Sequence, residues 1–386
     1  MSRVRWDNLK ATSLLKAAEP VVDALPVAEA LPVADASPKP LALAGATRRT
    51  FDTPGFAGIT FYEIRAKSII NRVPGQSRVP FEWTINPYRG CTHACTYCFA
   101  RNTHTYLDLD SGRDFDTQIV VKVNAPELLR HELAAPRWGG GHIAMGTNVD
   151  CYQRAEGRYR LMPGIITALR DFANPFSILT KGTLIVRDLP LLREAAEVTS
   201  VGLSMSVGFV DETIWRSAEP GTPSPRRRLD AVRALTDAGF SVGVLMAPIL
   251  PGLTDTDESI DATVRAIAAS GASSLTPLPL HLRPGAREWY LAWLGREHPD
   301  LVTRYRRLFG SGSYQASAVQ RETTARVRSA ARHYGIGSSG ANEARQAAES
   351  ENRSEQARAR LFAPNGRGGG PTRRGDGPDS EQLRLW

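Results

Sequence analysis

The chain has 386 residues, of which 42% are hydrophobic and 23% are charged, and these proportions are typical of a soluble globular protein. Its longest apolar runs, such as residues 241–250, are much shorter than the ~20 residues that a membrane-spanning helix needs. Charged residues interrupt the N-terminus, where a secretory signal would need an unbroken apolar stretch. We therefore predict a cytoplasmic protein that has no membrane partner.

The formal net charge of +8 at pH 7 is carried mainly by the middle of the chain. Residues 1–45 hold as many acidic as basic groups, and residues 341–386 are almost balanced. A basic globular body suits a polyanionic partner such as nucleic acid, because neutralising phosphates releases counterions. The alternative is that a generally arginine-rich composition makes a modest positive charge uninformative, and the charge alone does not decide between the two.

Both ends of the chain are predicted to be disordered. Residues 1–49 form an Ala- and Pro-rich leader, and residues 338–386 form a Gly- and Arg-rich tail. Such compositions bury too little apolar surface to offset the entropy of ordering the chain. The folded unit is therefore expected to span residues 50–337, about the size of one α/β barrel domain.

Short β-branched segments alternate with amphipathic helical segments through this unit. Strands are predicted at residues 81–87, 118–123, 142–147, 176–180, 200–208, 241–249 and 273–280. Apolar strands that alternate with helices indicate an α/β fold with a parallel sheet and helices outside it. About six βα units are countable, against eight in a closed TIM barrel, so we expect a partial (β/α)6 TIM-type barrel with a lateral opening. Two Arg-rich helical segments, 285–309 and 316–334, form a C-terminal helical extension from about residue 281.

Three of the four cysteines lie close together in the segment NPYRGCTHACTYCFAR. Cys91, Cys95 and Cys98 have the spacing C-x3-C-x2-C, and three thiolates this close on one loop can bind three corners of an iron–sulfur cubane. A structural cluster or zinc site needs a fourth ligand, and without one, one iron is open to bind another molecule. The alternatives are three unrelated buried thiols, or a zinc site completed by His93, His104 or Cys151.

This motif after the first strand of a partial barrel resembles the signature of the radical S-adenosylmethionine (SAM) superfamily. The closer resemblance is to the branch that contains spore photoproduct lyase and its DNA-repair photolyase-like relatives. It covers about residues 80–280 and rests on the segments INPYRGCTHACTYCFAR, GTNVDCYQ, ILTKG, SMSVG, EPGTPSPRRRLDAVRAL and GVLMAPILPGLTD. The resemblance implies a [4Fe–4S] cluster on Cys91, Cys95 and Cys98, whose open iron binds SAM. It also implies reductive cleavage of SAM to a 5′-deoxyadenosyl radical, with an external electron donor of the flavodoxin or ferredoxin type.

A SAM site needs groups for a carboxylate, an ammonium, ribose hydroxyls and adenine, and such groups belong at the C-terminal ends of barrel strands. The resemblance places Thr147, Asn148 and Asp150 near the methionine amino group of SAM. It places Lys181, at the end of the segment FSILTK, at the SAM carboxylate, where the charges would complement each other. Asn and Asp are also common turn formers, and a lysine at a strand end is often a surface residue, so structural roles are the alternatives.

Four further residues are candidates for contacts with the cofactors. Ser204 and Ser206 alternate with apolar residues in LSMSVG, so both are expected to point to one face, the barrel interior, where small hydroxyls can contact SAM. Tyr97 and Phe99 flank the last cysteine of the motif and are predicted to shield the cluster or the adenine. Packing around a glycine-rich loop would require similar aromatic residues.

Cys151 is a candidate catalytic residue because a thiol is a competent hydrogen donor. Spore photoproduct lyase uses a cysteine near this loop as its donor, but that position corresponds here to Gly146 or Thr147. The resemblance therefore fails at this residue, which puts the thymine-dimer reaction itself in doubt. The alternative for Cys151 is a plain buried thiol.

The last residues of the chain, EQLRLW, suggest a partner. Gln382, Leu383, Leu385 and Trp386 resemble the QLxLF peptide by which bacterial polymerases and repair factors bind the DNA sliding clamp. A disordered tail is a suitable way to present such a peptide to a groove. The alternative is a chance match, because a five-residue pattern is weakly specific.

Together these features predict a radical SAM enzyme that acts on nucleic acid as a DNA-repair photolyase-like lyase. Among enzymes, the alternative is a radical modification of RNA or of a peptide. Outside enzymes, it is a non-catalytic nucleic-acid-binding protein that carries zinc or a cluster.

Overall fold

The computed structural model describes residues 45–74 and 79–338. The strands of these residues are Thr47–Arg49 (β1), Thr60–Ile64 (β2), Ile70–Arg72 (β3), Trp83–Ile85 (β4), Tyr88–Arg89 (β5), Gln118–Lys122 (β6), Ile143–Met145 (β7), Phe176–Thr180 (β8), Val201–Ser206 (β9), Val242–Ile249 (β10), Ser274–Pro279 (β11) and Gly337–Ser338 (β12). The predicted leader and tail, and the predicted clamp-binding residues 382–386, lie outside the described residues except at their inner margins.

The α-helices lie mainly between the strands and after the last long strand. They are Arg113–Thr117 (α1), Ala125–Leu133 (α2), Arg154–Tyr159 (α3), Leu161–Asp171 (α4), Leu189–Val198 (α5), Glu212–Ala218 (α6), Pro225–Asp237 (α7), Asp257–Ala269 (α8), Ala286–Glu297 (α9), Val302–Phe309 (α10) and Ser317–His333 (α11). A 3-10 helix, Phe99–Leu107, follows the cysteine motif. Within the described part of the chain, no helix is long and apolar enough to cross a membrane.

The larger sheet has eight strands in the order β12-β11-β10-β9-β8-β7-β4-β3. The six strands from β4 through β7, β8, β9 and β10 to β11 run parallel to one another, whereas β3 is antiparallel to β4. This arrangement confirms the predicted partial barrel of parallel strands with helices between them. Among the described residues, the edge strands β3 and β12 do not pair with each other, so the barrel is not closed.

A smaller sheet contains one of the strands that the sequence pattern predicts. Its order is β1-β2-β6-β5, and β6, predicted at residues 118–123, pairs in parallel with β2. The sequence locates this strand but not its sheet, because a buried apolar run has the same pattern in either one. β1 pairs with β2 as well, so Thr47–Arg49, which fall within the predicted leader, form a strand.

The two faces of the larger sheet differ in the size and polarity of their side chains. On the outer face, Ile143, Phe176 and Val244 are fully buried members of the main hydrophobic core. On the inner face, Ser177 lies beside a glycine of β9, and Ser204 lies beside a glycine of β10. Because successive side chains of a strand point to opposite faces, the large residues pack against the helices and the small ones leave space inside the barrel.

The C-terminal extension consists of three helices rather than two. The predicted segment 285–309 is divided into α9 and α10 by a 3-10 turn at Pro299–Leu301, where a proline stands at the first helical position. The predicted segment 316–334 corresponds to α11, which packs against α8 and β11. The last helix of the extension therefore covers the sheet at β11, the last long strand.

Candidate active site

The three cysteines of the motif lie on the loop after β5, at the C-terminal edge of the larger sheet. Cys91 and Cys95 are buried, Cys98 is half-buried, and none of them forms a disulfide. Thr96 N, between them, donates a 2.9 Å hydrogen bond to Ala218 O at the end of α6. The loop is therefore packed inside the molecule and is not an exposed connection.

A glycine allows the loop to begin close to its neighbours. Gly90 has a φ of 77°, a conformation that residues with a side chain rarely adopt. A Cβ at this position would lie 2.9 Å from Phe115 O and 2.9 Å from the ring of His104. Cys91 N can therefore reach Phe115 O, to which it donates a hydrogen bond of 2.9 Å.

Two buried polar side chains that the sequence analysis did not single out hold the loop. The Gln153 amide accepts a 2.8 Å hydrogen bond from Thr92 N and donates one of 3.0 Å to Gly90 O. Arg101 donates to Cys95 O at 2.9 Å and to Gly112 O at 2.7 Å. The sequence indicates a role for either residue only through its position in or next to a recognisable motif. Their hydrogen-bond partners are backbone groups that the fold brings close to them.

Arg101 is fully buried, and each part of its guanidinium has a partner. It forms an ion pair with Asp116 at 2.9 Å and lies between the rings of Phe115 and Trp289, at 5.2 and 5.0 Å from their centroids. A planar guanidinium suits this combination of stacking and forked hydrogen bonding better than a lysine ammonium does. Arg101 therefore links the cysteine loop to α9 of the C-terminal extension.

The donor set fits an iron–sulfur cluster. Burial is the main cause that raises the pKa of Cys91, Cys95 and Cys98, so the thiolates that a cluster requires depend on the positive charge of bound iron. The Thr96 hydroxyl beside them is buried without a hydrogen-bond partner. No three His, Cys, Asp or Glu side chains of the described residues converge to hold one metal ion, whereas thiolates on a cubane each bind a different iron.

The two histidines considered as zinc ligands face other groups. His93 Nδ1 lies 3.3 Å from Asp150 Oδ2, and His104 Nε2 lies 2.9 Å from Gln118 O. Burial is the main cause that lowers the pKa of His104 to about 4, so its imidazole is neutral at pH 7. Both side chains therefore contribute to the packing around the loop.

Asp150, a predicted SAM contact, accepts hydrogen bonds that join the loop after β7 to the end of β8. It accepts hydrogen bonds of 2.6 Å from the Thr180 hydroxyl and 2.7 Å from Lys181 N. Burial works to raise the pKa of Asp150, but the nearby His93 and these hydrogen bonds outweigh it and lower the pKa to about 2. The ionised carboxylate therefore fixes the backbone of Lys181 through its hydrogen bond with Lys181 N.

Lys181, Ser206 and Tyr97 meet on the inner face of the sheet. Lys181 Nζ donates a 2.9 Å hydrogen bond to Ser206 Oγ and lies 5.7 Å from the centroid of the Tyr97 ring. Ser206 in turn donates to Ala247 O at 3.2 Å. Ser204 lies on the same face, one pleat further from the C-terminal edge. The structure thus brings four of the predicted SAM contacts to one surface beside Cys95 and Cys98.

A buried ion pair lies beside Tyr97 and the end of β9. Glu219 and Arg228 form an ion pair and are both fully buried, and the Tyr97 hydroxyl donates to Glu219. Burial works to raise the pKa of Glu219, but Arg228, Lys181 and Tyr97 lower it. Arg228 also donates a 2.9 Å hydrogen bond to Ser206 O, so the pair fixes both Tyr97 and the end of β9.

The remaining candidates are distributed around this centre. Thr147 Oγ1 lies 3.1 Å from Thr84 Oγ1 of the neighbouring strand, and Asn148 is half-buried on the same loop. Phe99 lies against His281, with 5.7 Å between the ring centroids. It therefore belongs to a second group of aromatic rings, and its predicted contact with the adenine stays a prediction.

Gly146, one of the two positions considered for a donor cysteine in the sequence, has no room for a side chain. Gly146 has a φ of 75°, and a Cβ at this position would lie 1.7 Å from Leu179 O. Cys151 is fully buried in the main core, and burial is the main cause that raises its pKa. The predicted role of Cys151 as a hydrogen donor stays a prediction.

Known proteins resemble this chain in both sequence and fold. The uncharacterized protein Rv2578c of Mycobacterium tuberculosis (strain ATCC 25618 / H37Rv) is 51% identical over 277 residues, which are 71% of this chain and 82% of that protein. The uncharacterized protein MJ0683 of Methanocaldococcus jannaschii is 29% identical over 207 residues, which are 53% of this chain and 73% of that protein.

A solved structure of spore photoproduct lyase complexed with dinucleoside spore photoproduct matches with a TM-score of 0.53 at 17% identity, and the match covers 72% of this chain and 80% of that one. This likeness shows a shared fold. The family model of the radical SAM superfamily matches residues 85–266, a range that contains the cysteine loop and the inner-face residues described above. The chain therefore belongs to the radical SAM superfamily.

Proposed function

We propose that the chain is an enzyme that binds a [4Fe–4S] cluster through Cys91, Cys95 and Cys98, cleaves SAM beside it and acts on nucleic acid. The observation that carries this proposal is the position of three cysteines, two of them buried and one half-buried, without disulfides, beside a small and polar inner face. This face ends at the C-terminal edge of a parallel sheet, where barrel-like folds hold their ligands. Membership of the superfamily supports SAM as the second cofactor.

The chemistry that the cluster would supply when it is bound is the transfer of one electron to SAM, which would break the C5′–S bond and give methionine and a 5′-deoxyadenosyl radical. The residues of this chain provide position and exclusion of water. Gln153 and Arg101 fix the loop on which the ligands lie. Their burial keeps solvent away from the cysteines on the side that faces the protein.

Lys181 is suited to hold the SAM carboxylate on the inner face. Its ammonium has three donors, of which Ser206 uses one. Ser204 has no hydrogen-bond partner among the described residues, so its hydroxyl is available to a ligand on the same face. Tyr97, which is anchored by Glu219, forms a flat wall beside Lys181.

Nucleic acid is the substrate class that the charge and the fold support. The net charge of +8 suits a phosphate backbone, and the fold is shared with a lyase whose solved complex contains a dinucleoside photoproduct. A DNA-repair photolyase-like lyase is therefore the proposed class of enzyme. Because neither position 146 nor position 147 is a cysteine, we do not extend the proposal to the same hydrogen-donor arrangement.

Anaerobic reconstitution of the full chain tests the cofactors. We expect about four irons per chain and release of 5′-deoxyadenosine from SAM when a reductant is added. Cys91→Ala, Cys95→Ala and Cys98→Ala should each abolish this release, whereas the matched control Cys151→Ala should keep the iron content of the wild-type protein. A wild-type protein that binds one zinc, or that holds a cluster but leaves SAM intact, would contradict the proposal.

Binding of defined nucleic acids tests the substrate class. We expect the reconstituted protein to bind DNA with an affinity that falls steeply as salt rises, because phosphate contacts release counterions. Product analysis with ultraviolet-irradiated DNA in the anaerobic assay then tests the lyase activity. Stronger binding to RNA would redirect the proposal to RNA modification, and the absence of salt-dependent binding to either would refute a nucleic-acid substrate.

A further inference from the structure

A column of aromatic rings leads from the cysteine loop to the surface. Phe99, next to Cys98, lies 5.7 Å from His281 between ring centroids. His281 stacks on Tyr314 with a centroid distance of 5.6 Å and an interplanar angle of 22°. Tyr314 is 56% exposed, so the column begins beside a proposed cluster ligand and ends in a ring that faces solvent.

The backbone on both sides fixes the outer ring of this column. His281 and Tyr314 pair as an antiparallel bridge, and Leu282 N donates a 2.8 Å hydrogen bond to Ser313 O. Arg287 donates to the carbonyl groups of the turn at residues 310–312. A ring held in this way loses little conformational entropy when a ligand stacks on it, which favours binding.

Two exposed arginines lie near the column, one in space and one along the chain. Arg283 lies 5.4 Å from the centroid of the Phe99 ring. Arg321 is exposed in the second turn of α11, the helix that begins three residues after Tyr314, and it has no ion-pair partner within residues 45–74 and 79–338. Burial and the nearby Arg283 lower the pKa of His281, so its ring is neutral at pH 7. The surface therefore combines an exposed flat ring with exposed arginines.

We propose that Tyr314 is a stacking platform for a nucleobase in an unpaired stretch of the substrate, and that Arg283 and Arg321 contact the phosphates beside that base. Stacking on an aromatic ring beside a positively charged surface is how proteins hold single-stranded nucleic acid. A nucleobase in an intact duplex cannot offer a free face to such a ring, so the strand must be opened locally. Because His281 and Phe99 separate Tyr314 from the cysteine loop, the stacked base flanks the reacting nucleotide.

This inference takes its substrate class from the proposed function, and its test does not depend on turnover. The reconstituted full chain is titrated with a short oligodeoxyadenylate that carries 2-aminopurine, with the matching oligoribonucleotide, and with the duplex form. We expect wild-type protein and Tyr314→Phe to quench the fluorescence of the single strand and to bind it alike. Tyr314→Ala should bind roughly 5- to 150-fold more weakly, the range given by loss of one stacked base.

Phe172→Ala is the matched control. Phe172 is 39% exposed but follows α4 at the opposite edge of the sheet, so this variant should bind like wild type. Arg321→Ala should lower the slope of log affinity against log salt by about one, the effect of one lost phosphate contact. The oligoribonucleotide shows whether the platform favours DNA or shares the same nucleobase chemistry with RNA.

Several outcomes would overturn the inference. They are duplex binding that equals single-strand binding, an affinity that is unchanged in Tyr314→Ala, or an equal loss in Phe172→Ala. SAM cleavage without substrate is measured in the same preparations and should be unchanged in Tyr314→Ala. Failure of SAM cleavage in the wild type would refute the proposed function, whereas failure of Tyr314-dependent binding with intact SAM cleavage would refute only the platform.

Discussion

The inner face of the larger sheet and the packing behind the cysteine loop both contain polar side chains. These side chains differ in their burial and in the number of hydrogen bonds that they make. On the inner face, Ser204 is half-buried and has no hydrogen-bond partner among the described residues. Behind the loop, Gln153 and Arg228 are fully buried and make two or more hydrogen bonds each.

This difference shows which polar residues can serve a ligand and which maintain the shape of the site. A buried polar group costs stability when its partner is removed, because it cannot recover a hydrogen bond with water. Replacing a polar group on an open face changes the unfolding free energy little, but it weakens the binding of a ligand that contacts the group. Substitutions behind the loop should therefore change unfolding, and substitutions on the inner face should change SAM binding.

Arg228→Met is expected to have the largest effect. It leaves Glu219 buried without its ionic partner, and breaking a buried ion pair costs about 3–5 kcal/mol of unfolding free energy. Urea unfolding of the two proteins measures this loss. Arg226→Met is the control on the same helix, α7, and because Arg226 is exposed its effect should stay within about 0.5 kcal/mol. Equal losses in the two variants would show that the buried pair is not what stabilises this region.

His104 gives the packing behind the loop a pH dependence. Its pKa is lowered from 6.5 to about 4 in the folded protein, so between these pH values the unfolded chain binds a proton that the folded one does not. Stability should be complete above pH 6.5 and should fall by about 3 kcal/mol towards pH 4. His104→Gln should lack this part of the acid sensitivity, as measured by urea unfolding across this pH range. A difference between the two proteins that stays constant with pH would contradict the expectation.

Lys181→Met tests the inner face at its charged residue. Losing a hydrogen bond from a charged donor to a carboxylate costs about 1.5–3 kcal/mol, so KM for SAM should rise roughly 10- to 150-fold. The unfolding free energy should change much less than in Arg228→Met. Lys67→Met, at an exposed lysine, is the control and should leave KM unchanged. An unchanged KM in Lys181→Met would assign the SAM carboxylate to another residue.

The sequence predicts the parts of this architecture that depend on local pattern. The strand at 176–180 matches the structure residue for residue, because a short apolar run is visible within one window. The cysteine loop is equally local, since its three cysteines lie within one short segment. The inner-face position of Ser204 and Ser206 follows from alternation along a single strand.

The parts that the sequence does not predict depend on contacts between distant segments. The strand at 118–123 is predicted but its sheet is not, because its partner β2 lies far earlier in the chain. No sequence pattern identifies Gln153 and Arg101, because their role depends on the backbone groups that the folded loop brings within hydrogen-bond distance. Asp150 shows the same limit, since its predicted ligand role could not account for the hydrogen bonds that it accepts from β8 and its end.

Ser204→Ala is expected to have the smallest effect and distinguishes the two regions most sharply. Removing a hydroxyl that has no partner among the described residues should leave the unfolding free energy within about 0.5 kcal/mol of wild type. If SAM contacts this hydroxyl, its loss costs about 0.5–1.5 kcal/mol, which corresponds to a roughly 2- to 12-fold rise in KM for SAM. Ser177→Ala lies on the same face but further from the C-terminal edge, and its hydroxyl already pairs with His142 at 2.9 Å, so it should leave KM unchanged. A stability loss in Ser204→Ala as large as that in Arg228→Met would mean that the inner face is packed like the region behind the loop, and the distinction between ligand-binding and shape-maintaining polar residues would fail.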